Sequence, residues 1–382
     1  MVGNSGAQAA AGSVVVGHHL DHRTHPPNFG RETLGAMDRT TRGASVTRSD
    51  QATRPLGRTG LLVGPFAFGA AGIGNLYRAV SDQDAEAAVA TALAEGVRYF
   101  DTAPHYGLGL SERRLGAALA GVPRDDLVLS TKVGRLLVDD PDGADRRDDE
   151  GFDVPASVRR VRDYSRDGVL RSLESSLTRL GTDRIDVVYV HDPDDHYAEA
   201  LDGALPALAE LRDQGVIRGF GAGMNQSRML ARFVEHSDVD VLMLAGRYTL
   251  LDQSGMDELL PACRRRGVSV VAAGVFNSGI LATARPGSDA HYDYGPAGPD
   301  LVERANRIAD VCERHGCTLP RAAAWFPLAH PAVATICLGA RSADQVRRNA
   351  ALFDHPVPDD VWRDLVAEGL LRADAPVGGL GE

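Results

Sequence analysis

Lysine is almost missing from this chain of 382 residues: of 41 basic residues only Lys132 is a lysine, and the rest are arginine. Arginine-heavy usage is compositional, so surface positions here accept a guanidinium nearly everywhere. A lone lysine marks a place where a guanidinium would not serve. An ammonium can shift its pKa and give up a proton, whereas arginine effectively cannot. Cysteine is scarce as well. Cys263, Cys312, Cys317 and Cys337 form no CxxC and are too few for a disulfide framework, which points to reduced thiols and a cytoplasmic setting. Cys312 and Cys317 read as helix residues rather than as a redox pair. No apolar run approaches the roughly 18–20 residues of a membrane helix, which excludes a spanning protein. Positive charge is in deficit, with a formal net charge of −11, which argues against a nucleic-acid backbone or an anionic lipid surface as partner.

Two motifs are missing too. No GxGxxG lies between the first predicted strand and its helix, which counts against a doubly wound dinucleotide-binding sheet. No His-x-His stands at that first strand, where Phe66–Gly69 lies, so His191, Asp192, Asp194, Asp195 and His196 do not read as a metal centre. What remains is ordinary globular composition, 43% hydrophobic and 24% charged, with 42 Gly and 20 Pro.

Residues 1–53 are rich in Gly, Ala, Ser, Thr, His and Arg, show little periodicity and carry a net charge of +1. The apolar stretch at Val14–Val16 is too short for a signal peptide and has no basic segment before it. A disordered extension is expected there. From residue 54 to 370, short apolar runs alternate with patterns of period 3.6, the signature of a parallel α/β fold. Strands are predicted near Pro65–Phe68, Val97–Phe100, Leu127–Thr131, Ile185–Val190, Val216–Gly221, Val239–Leu244, Val268–Ala272 and Val333–Cys337. Helices are predicted after Ser81 and over Ser111–Leu119, Asp167–Leu180, Ala198–Gln214, Ser227–Glu235, Met256–Arg266, Val302–His315, Arg321–Leu328 and, closing the fold, Ser342–Phe353. Eight β/α units over this length predict a single (β/α)₈ barrel of the TIM type, with residues 371–382 as a tail. The acidic run Asp139–Glu150 reads as a solvated loop on the catalytic side, placed to form part of a lid.

Active sites of such barrels gather at the C-terminal ends of the strands. Those positions hold Asp101 and Thr102, with His105 and Tyr106 in the same loop, then Lys132 and His191. Neighbouring strands lie about 4.8 Å apart, so three consecutive ends bring these side chains within reach of one another. A free phenol has a pKa of about 10, too high for good proton transfer at neutral pH. A close ammonium should lower it, a carboxylate should hold the ammonium charged, and an imidazole should fix the substrate oxygen. The set suits a carbonyl/alcohol pair, and hydride moving at the carbon requires a nicotinamide.

The stretches FDTAPHYGLGLSERRLG (Phe100–Gly116), STKVG (Ser130–Gly134) and VVYVHDPD (Val187–Asp194) resemble the aldo-keto reductase superfamily. So do RPLGRTGLLVGPFAFGAAGIG (Arg54–Gly74) and LGARSADQVRRN (Leu338–Asn349). The likeness spans about residues 54–355. It implies a catalytic tetrad of Asp101, Tyr106, Lys132 and His191 with Tyr106 as general acid/base, the set already reached from the strand ends. LAGRYTLLDQ (Leu244–Gln253) and AAGVFNSGILA (Ala272–Ala282) are similar to the aldose 1-dehydrogenase branch, whose members oxidise the ring hemiacetal at C1 to a lactone. Pyridoxal 4-dehydrogenase is a similar relative acting on an aromatic hemiacetal.

By that resemblance the cofactor residues are Asn225, Tyr248, Phe276, Asn277, Ser278, Gly339, Ala340, Arg341, Gln345 and Asn349, and the substrate residues are His105 and Tyr77. Tyr248 and Phe276 are placed to stack on nicotinamide or sugar, or to pack in core or rim. The chain departs from the family pattern where Met224 precedes Asn225 and where Ala245 replaces an expected Gln, so fewer side chains grip the carboxamide. Gly339 and Gln345 stand where NADPH-specific relatives carry cations, which favours NAD over NADP, although Arg341 could compensate. Gly339–Ala340 before a helix suits a phosphate at the helix N-terminus. The expected activity is NAD(P)-dependent oxidation of an aldose at C1 by a monomer or homodimer. A pyridoxal dehydrogenase or a general aldehyde/ketone reductase is the alternative within the class. A Schiff-base aldolase using Lys132 and a non-catalytic cofactor-binding regulatory subunit are the alternatives outside it.

Overall fold

The computed structural model describes residues 53–377. The extension expected over residues 1–53 lies outside them, apart from Thr53. Eight parallel strands close into a barrel. They are β1 (Phe66–Gly69), β2 (Tyr99–Asp101), β3 (Val128–Val133), β4 (Val187–His191), β5 (Gly219–Met224), β6 (Val241–Ala245), β7 (Ser269–Ala273) and β8 (Val333–Gly339). Each pairs with the next, and β8 pairs with β1 through Ile336 opposite Phe66 and Gly339 opposite Gly69. An antiparallel hairpin of Arg54–Pro55 and Leu62–Val63 precedes β1, and its Leu56 and Val63 pack with the barrel interior.

Period-two alternation sorts the core into two layers. Ala67, Tyr99, Val128, Val187, Tyr189, Val241, Met243, Val271 and Cys337 fill the interior. Phe66, Phe68, Phe100, Leu129, Val188 and Val190 face outward against the helices. The first helix, α1 (Asp82–Ala94), starts where the sequence predicts, because Ser81 Oγ accepts from the Asp84 amide at 3.0 Å. The helices that position the site are α2 (Leu110–Leu119), α3 (Arg166–Leu180) and α4 (Ala343–Ala351), the last capped by Ser342. Among the described residues no helix is long and apolar enough to cross a membrane, and all four cysteines are buried and free.

The structure departs from expectation at four places. The segment read as an acidic loop after β3 contains an antiparallel hairpin, Arg135–Asp139 against Val158–Arg162. Arg160 pairs with Asp148 and Glu150 of the acidic run, and Arg162 donates to the Tyr164 hydroxyl and the Asp192 carbonyl, so polar pairing rather than apolar alternation orders this element. The helix expected over Ala198–Gln214 is interrupted by a wider turn at Ala200–Ala204 just before Pro206, whose missing N–H breaks the regular hydrogen-bond ladder. A further helix, Asp359–Ala367, follows the one read as closing the fold and buries Val361, Trp362 and Leu365. Beyond it, Leu371 and Val377 are buried, and the Arg372 amide donates to Gln253 Oε1 at 3.0 Å. The segment set off as a tail is thus packed as far as it is described.

Candidate active site

The mouth of the barrel at the C-terminal strand ends is where the chemistry-bearing residues meet. Lys132 and Ser130 alternate on the inner side of β3, and Asp101 closes β2 opposite Ser130. Lys132 Nζ donates to Asp101 Oδ2 at 2.6 Å and to the Thr102 carbonyl at 2.9 Å. Ser130 Oγ donates to Asp101 Oδ1 at 2.6 Å. Both ends of the carboxylate are therefore held, and the lysine has a fixed direction.

Tyr106 arrives on a tight loop. Its amide donates to the Ala103 carbonyl at 3.1 Å, and its own carbonyl accepts from the Ser111 amide at 3.2 Å as α2 begins. Ser111 Oγ in turn donates to the Ala70 carbonyl at 2.8 Å. Gly107 has φ of +62°, and a Cβ there would lie 2.2 Å from the Gly74 carbonyl oxygen. Only glycine lets the loops after β1 and β2 approach so closely. The result places Lys132 Nζ over the Tyr106 ring, 4.8 Å from its centroid. His191, at the end of β4, stands edge-on to Tyr106 with ring centroids 5.7 Å apart and planes at 87°.

Electrostatics correct one expectation. Burial pushes the Tyr106 phenol up, the Lys132 charge and hydrogen bond pull it down, and the Asp101 charge pushes it up again; the net direction is upward. The expected net acidification does not occur in the free protein, because loss of hydration outweighs the lysine. Burial alone would lower the Lys132 pKa, but the Asp101 charge and hydrogen bond raise it above the ordinary ammonium value. His191 is held neutral by burial first and by the Arg135 and Lys132 charges next. His105 is depressed to about 2 by burial and by Arg135.

A second layer of charge surrounds this centre, and the sequence reading missed it. Arg135 Nη2 donates to Asp192 Oδ2 at 2.7 Å, and its Nη1 lies 3.3 Å from His105 Nδ1 and 3.5 Å from Glu150 Oε2. Arg160 binds Asp148 and donates to the His105 carbonyl at 3.0 Å. Phe152 packs against both His105 and Tyr106, with centroids 5.1 and 6.0 Å away. The hairpin and acidic run after β3 thus wall the mouth. Tyr77, 67% exposed, joins that wall through its amide, which donates to the Gly151 carbonyl at 2.8 Å. The available signal was a set of arginines closely following an acidic run, a pattern that fits solvent-facing charge equally well. Among the described residues, no group of His, Cys, Asp and Glu is arranged to hold a metal ion.

The residues assigned to a cofactor fall into two groups and an exception. Asn225, after β5, donates from Nδ2 to the Ala245 carbonyl at 3.0 Å, and Asn277, after β7, donates from Nδ2 to the Gly246 carbonyl at 3.1 Å. Asn277 Oδ1 is buried with no partner. Asn277 and Ser278 both have positive φ, and Ser278 Oγ accepts from the Tyr294 amide at 3.1 Å. Phe276 is half-buried beside them. After β8, Gln345 Oε1 accepts from the Arg341 amide at 2.8 Å and Asn349 Nδ2 donates to the Gly339 carbonyl at 3.3 Å. The Arg341 amide is therefore spent within the protein rather than free for a phosphate. Gly339 is exposed with open space above it, and Ala340 is buried. The Arg341 guanidinium makes no ion pair or hydrogen bond among the described residues, and burial and the nearby Arg78 charge lower its pKa. Tyr248 is the exception. Its ring is 1% exposed and packs on Phe326, 4.9 Å away, and His330, so it belongs to the core and is not positioned to stack on a ligand.

An unpartnered buried amide oxygen, a free cation and an open glycine end between β7 and β8 fit a dinucleotide. Comparison with known proteins gives this geometry a family. The model of the Aldo/keto reductase family matches residues 65–367. The chain belongs to that family. This aldo-keto reductase is 44% identical over 317 residues to a D-threo-aldose 1-dehydrogenase of Pseudomonas sp, covering 82% of this chain and 96% of that protein. It is 43% identical over 335 residues to a pyridoxal 4-dehydrogenase of Microbacterium luteolum, covering 83% and 97%. Among solved structures, the holo form of an aldo-keto reductase from Bacillus halodurans matches with a TM-score of 0.65 and 26% identity over 85% of this chain and 98% of that one. The protein is thus an NAD(P)-dependent oxidoreductase.

Proposed function

We propose that this aldo-keto reductase oxidises an aldose at C1 to the lactone, with Tyr106 as general acid/base. The observation that carries the reading is the Asp101–Lys132–Tyr106 line with the neutral His191 ring at right angles to the phenol. His191 donates to the anomeric oxygen and orients it. Tyr106, as the phenolate that the adjacent ammonium stabilises, takes the proton from that oxygen and becomes the neutral phenol. Asp101 keeps Lys132 charged and aimed. A nicotinamide bound at Asn225 and Asn277 supplies the hydride acceptor. Arg341, whose guanidinium has no partner among the described residues, is available to the distal phosphates. Without cations at Gly339 and Gln345, we infer a preference for NAD over NADP.

The aldose reading draws support from the polar wall of Arg135, Asp192 and Glu150, which suits a hydroxylated substrate, and from the 44% identical relative. Pyridoxal is the second reading, favoured by the relative at 43% and by the buried Phe152 ring packed against His105 and Tyr106. The test is a panel of L-fucose, L-galactose, D-arabinose and pyridoxal under NAD⁺ and NADP⁺, followed by absorbance of the reduced cofactor. Turnover of a sugar, abolished by Tyr106→Phe with cofactor binding retained, is the expected outcome. Turnover of pyridoxal alone selects the second reading, and no turnover of any compound refutes both.

A further inference from the structure

We propose that Asp192, held by Arg135, is the subsite that binds the substrate hydroxyl on the carbon next to the reacting one. The inference rests on the carbonyl/alcohol chemistry proposed for Tyr106 and His191, and it adds a residue with no role in that proton transfer. Three observations carry it. Asp192 is the first residue beyond β4, immediately after His191, and its φ of +40° is uncommon outside glycine, though aspartate tolerates it better than most residues. Its amide is pinned there by donation to the Gly223 carbonyl at 3.0 Å. Backbone strain of this kind persists where the surroundings over-determine it, and it gathers at ligand-binding positions.

The second observation is the aim of the carboxylate. Arg135, with its side chain 9% exposed, donates to Asp192 Oδ2 at 2.7 Å. That same oxygen lies 3.5 Å from His191 Nε2. His191 Nδ1 is buried without a partner, so Nε2 is the ring nitrogen that faces the carboxylate. The gauche oxygens of a 1,2-diol lie within a hydrogen-bond length of each other. An oxygen held at Nε2 therefore brings its vicinal neighbour to Asp192.

The third observation is spare capacity. The Asp192 side chain is 32% exposed at the mouth, and Oδ1 accepts no hydrogen bond among the described residues. A surface ion pair would need no such strain or burial of the arginine. A carboxylate accepting from a neutral hydroxyl discriminates strongly, because a substrate lacking the hydroxyl leaves the acceptor unpaired once water is excluded.

The test compares lactaldehyde with propanal, which differ only in that hydroxyl, as substrates for reduction by the wild type, Asp192→Asn and Asp192→Ala. The expected wild-type preference in kcat/KM for lactaldehyde is roughly 10- to 100-fold, as for hydrogen bonds to a charged group. In both variants the preference should collapse toward one, mainly through a higher KM for lactaldehyde. Should a variant turn over too slowly, the same ratio is read from dissociation constants of 1,2-propanediol and 1-propanol on the enzyme–NAD⁺ complex. A wild type without preference, or variants that lose both substrates equally, overturns the assignment and leaves Asp192 as a structural partner of Arg135. A protein that prefers lactaldehyde through Asp192 yet oxidises no aldose keeps this subsite and removes the aldose reading. Aldose oxidation with an unchanged ratio does the reverse.

Discussion

Lys132 Nζ and Asp101 Oδ2 lie 2.6 Å apart, with side chains only 2% and 3% exposed, so the protein's single lysine is buried against a single carboxylate. Removing one member of such a pair leaves an uncompensated charge away from water. Asp101→Ala is expected to destabilise the fold by about 3–5 kcal/mol, far more than loss of a surface pair. Each variant leaves one hydrogen bond on the stranded charge, Lys132 to the Thr102 carbonyl or Ser130 to Asp101. A carbonyl does not neutralise the ammonium and a hydroxyl does not neutralise the carboxylate, so Lys132→Met should be destabilising to a similar degree. Chemical denaturation of the two variants measures both losses. Small losses would contradict the burial argument.

The raised phenol of Tyr106 has a directional consequence for rate. In reduction the phenol must start protonated, and a raised pKa keeps it so across the neutral range. In oxidation it must accept a proton, which grows easier as pH rises. Oxidation of the substrate should therefore accelerate from neutral to alkaline pH while reduction stays level and then declines. His191 is held neutral throughout, so no imidazole inflection near pH 6.5 should appear in kcat. A bell centred near neutrality would contradict both assignments.

Stability should also depend on pH through His105. Its folded pKa of about 2 lies far below the unfolded value of about 6.5. As pH falls below the unfolded value, the unfolded chain binds a proton that the folded chain refuses. The stability from a neutral His105 is present above about pH 6.5 and is lost as the solution becomes acidic, at up to about 1.4 kcal/mol per pH unit. Denaturation midpoints between about pH 6.5 and 5 should fall less steeply in His105→Asn than in the wild type. Equal slopes would show that the imidazole titrates in the native state.

The barrel was legible because its strands are apolar, regularly spaced and separated by well-capped helices such as the one after Ser81. The four residues at the mouth were legible because strand ends define the catalytic face of a barrel, and Lys132 stood out by rarity. The wall around them was not. Arg135, Glu150, Phe152 and Asp192 meet through a hairpin whose strands carry charges rather than an apolar alternation, so no periodic signal marks it. Tyr248 erred in the other direction. Its position in the chain suits a cofactor loop, yet its neighbours Phe326 and His330 come from more than seventy residues away, and only tertiary packing turns the ring inward.

Two glycines with the same φ separate positioning of the phenol from simple chain strain. Gly107 and Gly181 both have φ of +62°, but a Cβ at Gly107 meets the Gly74 carbonyl at 2.2 Å whereas one at Gly181 meets nothing within 4 Å. Gly181→Ala should cost about 1 kcal/mol through its left-handed conformation and leave kcat unchanged. Gly107→Ala carries the same conformational cost and must also push the Tyr106 loop away from the loop after β1. A displacement near 1 Å at a reacting group costs on the order of 100-fold in rate, so kcat should fall by about that factor with cofactor affinity retained. Steady-state kinetics and cofactor titration of the two variants decide it. Matching losses of kcat would mean that the close approach of the two loops does not set the position of the phenol.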